Sequence, residues 1–236
     1  MKYVLSAVLG VTLPIASAAQ AVEITGGSVQ LKYSAFTEET DLNRVNLEGS
    51  MEIGFTQSFS TQIDLGHNSF GETNLDGTNF GLHGIYHLND TTSLGVFYTR
   101  EDVEDVDVDI FGIEAGLEMG AFELEGFLGQ LDAENEDETI FGFEGRYELN
   151  SGIGLSLGYE DVGSSSTANV ATTTLRVDRD VTSNLNLFAE IGSTSFDTNI
   201  GDADETFVGI GGRYVFGAER GATFNQRGLL RILPGG

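Results

Sequence analysis

The chain has 236 residues, 37 of them acidic and 11 basic, for a formal net charge of −26. That balance excludes a nucleic-acid partner, because phosphate contacts need a basic face. A hydrophobic share of 40% with 10% aromatics excludes a solvated acidic tail, and with no cysteine the fold draws nothing from disulfides.

In chain order, Lys2 supplies a short positive region and Tyr3 to Ala16 an apolar one. Ala19-Gln20-Ala21 then fits a small-x-small cleavage site, so residues 1–21 are expected to be an export signal with Val22 as the mature N-terminus. The apolar run is shorter than the roughly 20 residues of a membrane-spanning helix, and no later segment approaches that length. Glycine is abundant, at 32 residues, and the two prolines, Pro14 and Pro234, leave residues 22–233 without any. A body of paired strands requires this, since proline cannot donate to a ladder.

From there the dominant pattern is period-two alternation in segments near the length a tilted strand needs to cross a bilayer. Val45, Leu47, Gly49, Met51, Ile53 and Phe55 oppose Asn46, Glu48, Ser50, Glu52 and Thr56. Phe111, Ile113, Ala115, Leu117 and Met119 oppose Gly112, Glu114, Gly116 and Glu118. Phe141, Phe143, Gly145, Tyr147 and Leu149 oppose Gly142, Glu144, Arg146 and Glu148. Twelve such segments are expected, at about 28–36, 44–57, 61–69, 78–88, 92–100, 109–119, 121–131, 139–149, 153–160, 171–179, 184–194 and 206–216, with ten or fourteen as the alternatives.

The links after even segments read as short turns, such as Asn89-Thr91 and Gly120. Those after odd segments read as longer loops carrying much acid, as in Glu101 to Asp107, Asp132 to Glu138 and Asp197 to Glu205. Aromatics such as Tyr33, Phe55, Phe80, Tyr98, Phe122, Tyr147 and Tyr214 fall mostly near segment ends, where an outer-membrane girdle would place them. The fold class that follows is all-β, a transmembrane antiparallel up-and-down barrel in the cell outer membrane. A soluble sandwich or lipocalin-like barrel also alternates; segment length, two-sided loops and small residues on the polar face oppose it.

The sequence resembles the porin-like outer-membrane barrels of alphaproteobacteria. The likeness rests on the alanine-rich leader ending Ala-Gln-Ala-Val-Glu-Ile-Thr, the glycine-rich alternating strands and the closing strand Thr206 to Phe216. The resemblance implies a final strand ending the chain on an aromatic residue. Phe216 fits, yet residues 217–236 follow it, with Arg220, Arg227 and Arg231 and only Glu219 as acid. That tail is expected to be a periplasmic extension or a segment folded back into the lumen as a partial plug, the untethered course being the plainer one.

With polar faces inward, the expected pore lining includes Glu48, Glu52, Asp64, Glu114, Glu118, Glu144, Arg146, Glu148, Arg176 and Arg213. Rings of carboxylate favour cations. The reading is thus a small monomeric porin passing small hydrophilic or cationic solutes. A non-conducting structural or adhesion barrel is the alternative, because small barrels fill with side chains. Outer-membrane lipid and lipopolysaccharide are the expected surroundings, with Ca²⁺ or Mg²⁺ loosely held at acidic loops such as Asp105, Asp107 and Asp109. No calcium-loop, zinc or phosphate-loop spacing occurs, so no cofactor or metal site is expected. His67-Asn68-Ser69 would put His67 and Ser69 on the lipid side, the setting of a lipid hydrolase, but no third residue is evident and no catalytic residue is assigned. His83 and His87 are expected to face the lumen.

Overall fold

The computed structural model describes residues 22–71, 75–104, 106–133, 136–163, 168–198, 201–218 and 221–232. The expected leader at 1–21, Asp105, Glu219, Arg220 and the last four residues lie outside that set.

Alternating apolar and polar side chains pair the chain into twelve antiparallel strands. They are β1 (Glu23–Phe36), β2 (Asn43–Gly54), β3 (Phe59–Phe70), β4 (Asp76–Asn89), β5 (Thr92–Val103), β6 (Val106–Met119), β7 (Phe122–Ala133), β8 (Glu136–Glu148), β9 (Ile153–Gly163), β10 (Ala168–Asp180), β11 (Leu185–Thr198) and β12 (Gly201–Gly217). Each strand pairs with its sequence neighbours, and β1 pairs with β12 from Gly26↔Gly217 to Phe36↔Phe207 to close the barrel. Closure leaves no edge, which a sheet in lipid requires.

Burial shows which face meets which solvent. On β2, Val45 and Leu47 are 43% and 47% exposed, whereas Asn46 and Glu52 are 1% and 4% exposed. A water-soluble fold would bury the valine and leucine instead; this inverted arrangement is that of a barrel immersed in hydrocarbon. No described helix is long and apolar enough to cross a membrane, and this chain crosses with strands. Cross-strand aromatic pairs mark the end that carries both barrel termini, here called the near end: the tilted rings of Phe59 and Tyr86 lie 4.9 Å apart and those of Phe122 and Tyr147 4.5 Å apart, centre to centre.

The strands run 11 to 17 residues, most of them beyond the expected segments, while β2 stops at Gly54, short of the expected 57. The acidic stretches read as loops are in large part strand. Asp102 pairs with Asp107 and Asp197 with Asp202 in the strand ladders. Antiparallel pairing continues wherever water or ladder satisfies the backbone, and alternating acid does not break it.

Candidate functional site

The lumen is where the polar faces converge. Glu52, Asp64 and Glu114 are buried against it, while Glu48, Glu118, Glu144, Arg146, Arg176 and Arg213 are half-buried and Glu148 is exposed near the mouth. Many of these groups are tied to one another. Arg146 meets Asp178 at 2.8 Å and Glu123 at 3.0 Å, and Arg176 meets Glu190 at 2.8 Å while lying 4.3 Å from the Phe188 ring centre. Lys32 adds a third cation at 3.2 Å from Glu190. His83 stands between Glu114 at 2.6 Å and Asp64 at 2.9 Å. His87 is bonded to Ser60 and Ser93 and lies 3.3 Å from Glu52.

Through the middle of this network runs the chain's own C-terminal segment. β12 ends at Gly217, whose φ of 79° no side chain adopts readily, and Gly221, at 82°, turns the chain again. The segment passes hard against β1, where a Cβ on Gly26 would strike the Gly221 carbonyl. Residues 221–232 then climb inside the barrel toward the far end.

Wall side chains hold this segment by its backbone. Glu52 accepts from the Thr223 amide and hydroxyl at 2.8 and 2.6 Å. Gln62 grips Phe224 from both sides, accepting from its N–H at 3.1 Å and donating to its C=O at 2.7 Å. Asn79 donates to Gln226, whose own amide donates to the Gly49 and Leu65 carbonyls. Farther up, one turn of helix, α1 (Leu229–Ile232), is anchored by Glu101, which accepts the Leu229 and Leu230 amides at 2.9 and 3.1 Å. Arg44 donates to the Leu230 carbonyl and Thr172 to that of Ile232.

Two arginines of the segment meet the wall carboxylates. Arg227, 3% exposed, lies 2.9 Å from Glu114 and 2.6 Å from Glu125, the latter a close charge contact rather than a well-aligned hydrogen bond. Its guanidinium is 4.6 Å from the Phe127 ring centre and 5.9 Å from that of Phe224. Arg231 reaches Glu144 at 3.1 Å and Glu160 at 3.2 Å and donates to the Gln226 carbonyl at 3.0 Å. Burial works against both charges, but the facing glutamates, Glu125 and Glu114 for Arg227 and Glu160 and Glu144 for Arg231, outweigh it and raise both pKa values above the usual guanidine range.

The lumen also has an apolar shelf that the sequence reading missed. Phe97, Val108, Ile110, Phe127, Leu131, Ile140 and Val162 face inward, and Ile232 packs onto them. A signal was present: Ile110 is in phase with Glu114, and Ile140 with Glu144 and Arg146, so their parity assigns them to the polar face. His67 does face lipid, as expected, with Asp76 4.0 Å away, an acid not singled out in the sequence. Gly212, by contrast, is on the lipid side, while Gly209 and Gly211 face the lumen.

A closed twelve-stranded barrel, apolar outside and charged within, defines an outer-membrane channel protein. Residues 54–220 match the family model described as Gram-negative porin, and the chain belongs to that family. No curated protein matches the sequence. Among solved structures the chain is similar to the KdgM porin, at 12% identity over 80% of this chain and 99% of that one, with a TM-score of 0.63. It is also similar to the NanC porin, at 8% identity over 80% and 98%, with a TM-score of 0.61. An outer membrane channel from Pseudomonas putida F1 aligns at 12% identity over 86% and 99%, with a TM-score of 0.58. These likenesses carry the fold; with the family they mark a channel in the outer membrane rather than an enzyme.

Proposed function

We propose that the protein passes small hydrophilic solutes with a preference for cations, and that its C-terminal segment must move for the pathway to open. The observation that carries this is the sign of the lumen. Glu48, Glu52, Asp64, Glu114, Glu118, Glu125 and Glu144 face it, and the segment lying among them presents two arginines. Carboxylate-lined pores attract cations and repel anions. One solved structure of the KdgM porin holds oligogalacturonate, a polyanion. A wall this acidic opposes such a chain, so the common fold does not bring a common solute.

The course of the segment supports the need for movement, since it lies bonded to wall side chains across the lumen. Beside Arg231, between Lys32, Thr172, Arg176 and Glu190, there is a cavity of about 50 Å³. That is room for a few waters and for no hydrated solute. A second reading, a barrel kept permanently shut as a scaffold, is favoured by the number of buried bonds holding the segment. Current through a planar bilayer separates the two, since a scaffold carries none with the segment present or released.

A further inference from the structure

The tail is seated by two carboxylate pairs, and the first has a shape that plain negative charge does not require. Around Arg227 the wall supplies Glu114 and Glu125 at its nitrogens and the Phe127 ring, over which the guanidinium carbon lies 4.6 Å from the ring centre. A flat cation with donors around its rim fits both demands at once, whereas a compact ammonium satisfies one carboxylate and stacks poorly. Glu144 and Glu160 meet Arg231 in the same two-carboxylate manner. An acidic cluster alone would accept any cation. Here a guanidinium already sits in each, one of them 97% removed from solvent.

The wall between and beyond the seats reads peptide backbone. Gln62 takes an N–H and a C=O of one residue, Glu52 and Glu101 take amides, and Thr172 takes a carbonyl. None of these bonds depends on the side chain of the residue held. A lumen so equipped suits a short peptide with arginine side chains.

We infer that Glu114, Glu125 and Phe127, followed by Glu144 and Glu160, form a track for guanidinium-bearing solutes, namely arginine and short arginine-containing peptides. Arg227 and Arg231 occupy the track as built-in competitors. The inference rests on the reading of the protein as a channel with a displaceable segment. It goes beyond cation preference by ranking guanidinium above ammonium.

The test uses the full chain with Arg227→Ala and Arg231→Ala, its fold verified by heat-modifiable migration and β-sheet circular dichroism. It is titrated calorimetrically in detergent with the methyl esters of arginine, lysine and citrulline. Saturable binding of the arginine ester is expected, about tenfold tighter than the lysine ester, with the uncharged citrulline ester weaker still. Adding Glu114→Gln and Glu125→Gln should remove most of that preference, and the unsubstituted protein should bind the arginine ester more weakly because its own arginines fill the seats. Equal affinity for the three esters, or no binding, overturns the inference. If the double variant does not fold, Arg227→Ala and Arg231→Ala are titrated singly, each leaving one seat vacant, with the same criteria. Potassium conductance is recorded separately. Arginine-selective binding in a silent barrel retires the channel reading and keeps the seats, whereas conductance without selectivity does the reverse.

Discussion

The Nε atom of Arg227 lies 2.9 Å from the Glu114 carboxylate, and the two side chains are 3% and 0% open to solvent. The opposite face of that carboxylate meets His83, which in turn reaches Asp64, so a tail residue joins a charged chain spanning strands β6, β4 and β3. A pair this deep costs a great deal to break by halves. Glu114→Gln should weaken docking of the segment by about 3 kcal/mol. Limited trypsin digestion reads this, since cleavage after Arg227 needs the segment out of the lumen. Arg227 should resist in the unsubstituted protein and be cut readily in the variant. Equal cutting of both would contradict the docked arrangement.

Gln62 is fully buried and closes a two-bond ring on the Phe224 backbone. Gln62→Leu keeps the bulk and strands both backbone groups, at about 1–3 kcal/mol for each. Hydrogen exchange at the Phe224 amide should accelerate in the variant while strand amides on β8 and β9 keep their protection. Unchanged exchange at Phe224 would show that the clamp does not hold the segment.

Ile232 is wholly buried on the apolar shelf formed by Ile110, Ile140 and Val162. Ile232→Ala should cost about 2–5 kcal/mol of local docking and fray the end of the segment. The Leu230 amide is expected to lose protection first, with Thr223 and Phe224 least affected because Glu52 and Gln62 hold them independently. Simultaneous loss at all of these amides would mean that the segment docks as one rigid piece.

At the far end Asp197 and Asp202 face each other across the β11–β12 ladder. Like charges directly opposite destabilise a hairpin. Protection of this hairpin should rise between 10 and 150 mM salt, as the screening length falls from about 30 to about 8 Å. Asp202→Asn should flatten that dependence. We further propose that Ca²⁺ and Mg²⁺ act there by screening alone; a steep, saturable gain with one of them and not the other would contradict this.

Strand number and membrane placement were legible because hydrocarbon and an aqueous lumen demand opposite side chains every second residue, as Val45 and Asn46 illustrate. Strand length was less legible. At Asp102 and Asp107 the side chains read as loop, yet the backbone ladder runs on through them. The inward course of the tail left no periodic trace, because its partners are single side chains from nine strands, β2 to β10, and such contacts have no spacing along the chain. The inward apolar shelf was not singled out for a related reason: Ile110 and Ile140 stand as single apolar residues on a polar face, and what they serve is visible only where Ile232 packs on them.

The proposal of a cation-preferring channel closed by its own C-terminal segment is best tested by single-channel recording in a planar bilayer under a potassium chloride gradient. The full chain is compared with Arg227→Ala/Arg231→Ala. Rare openings are expected for the unsubstituted protein, frequent ones for the variant, and a reversal potential on the potassium side in both. Chloride preference, or silence from both folded proteins, would contradict it.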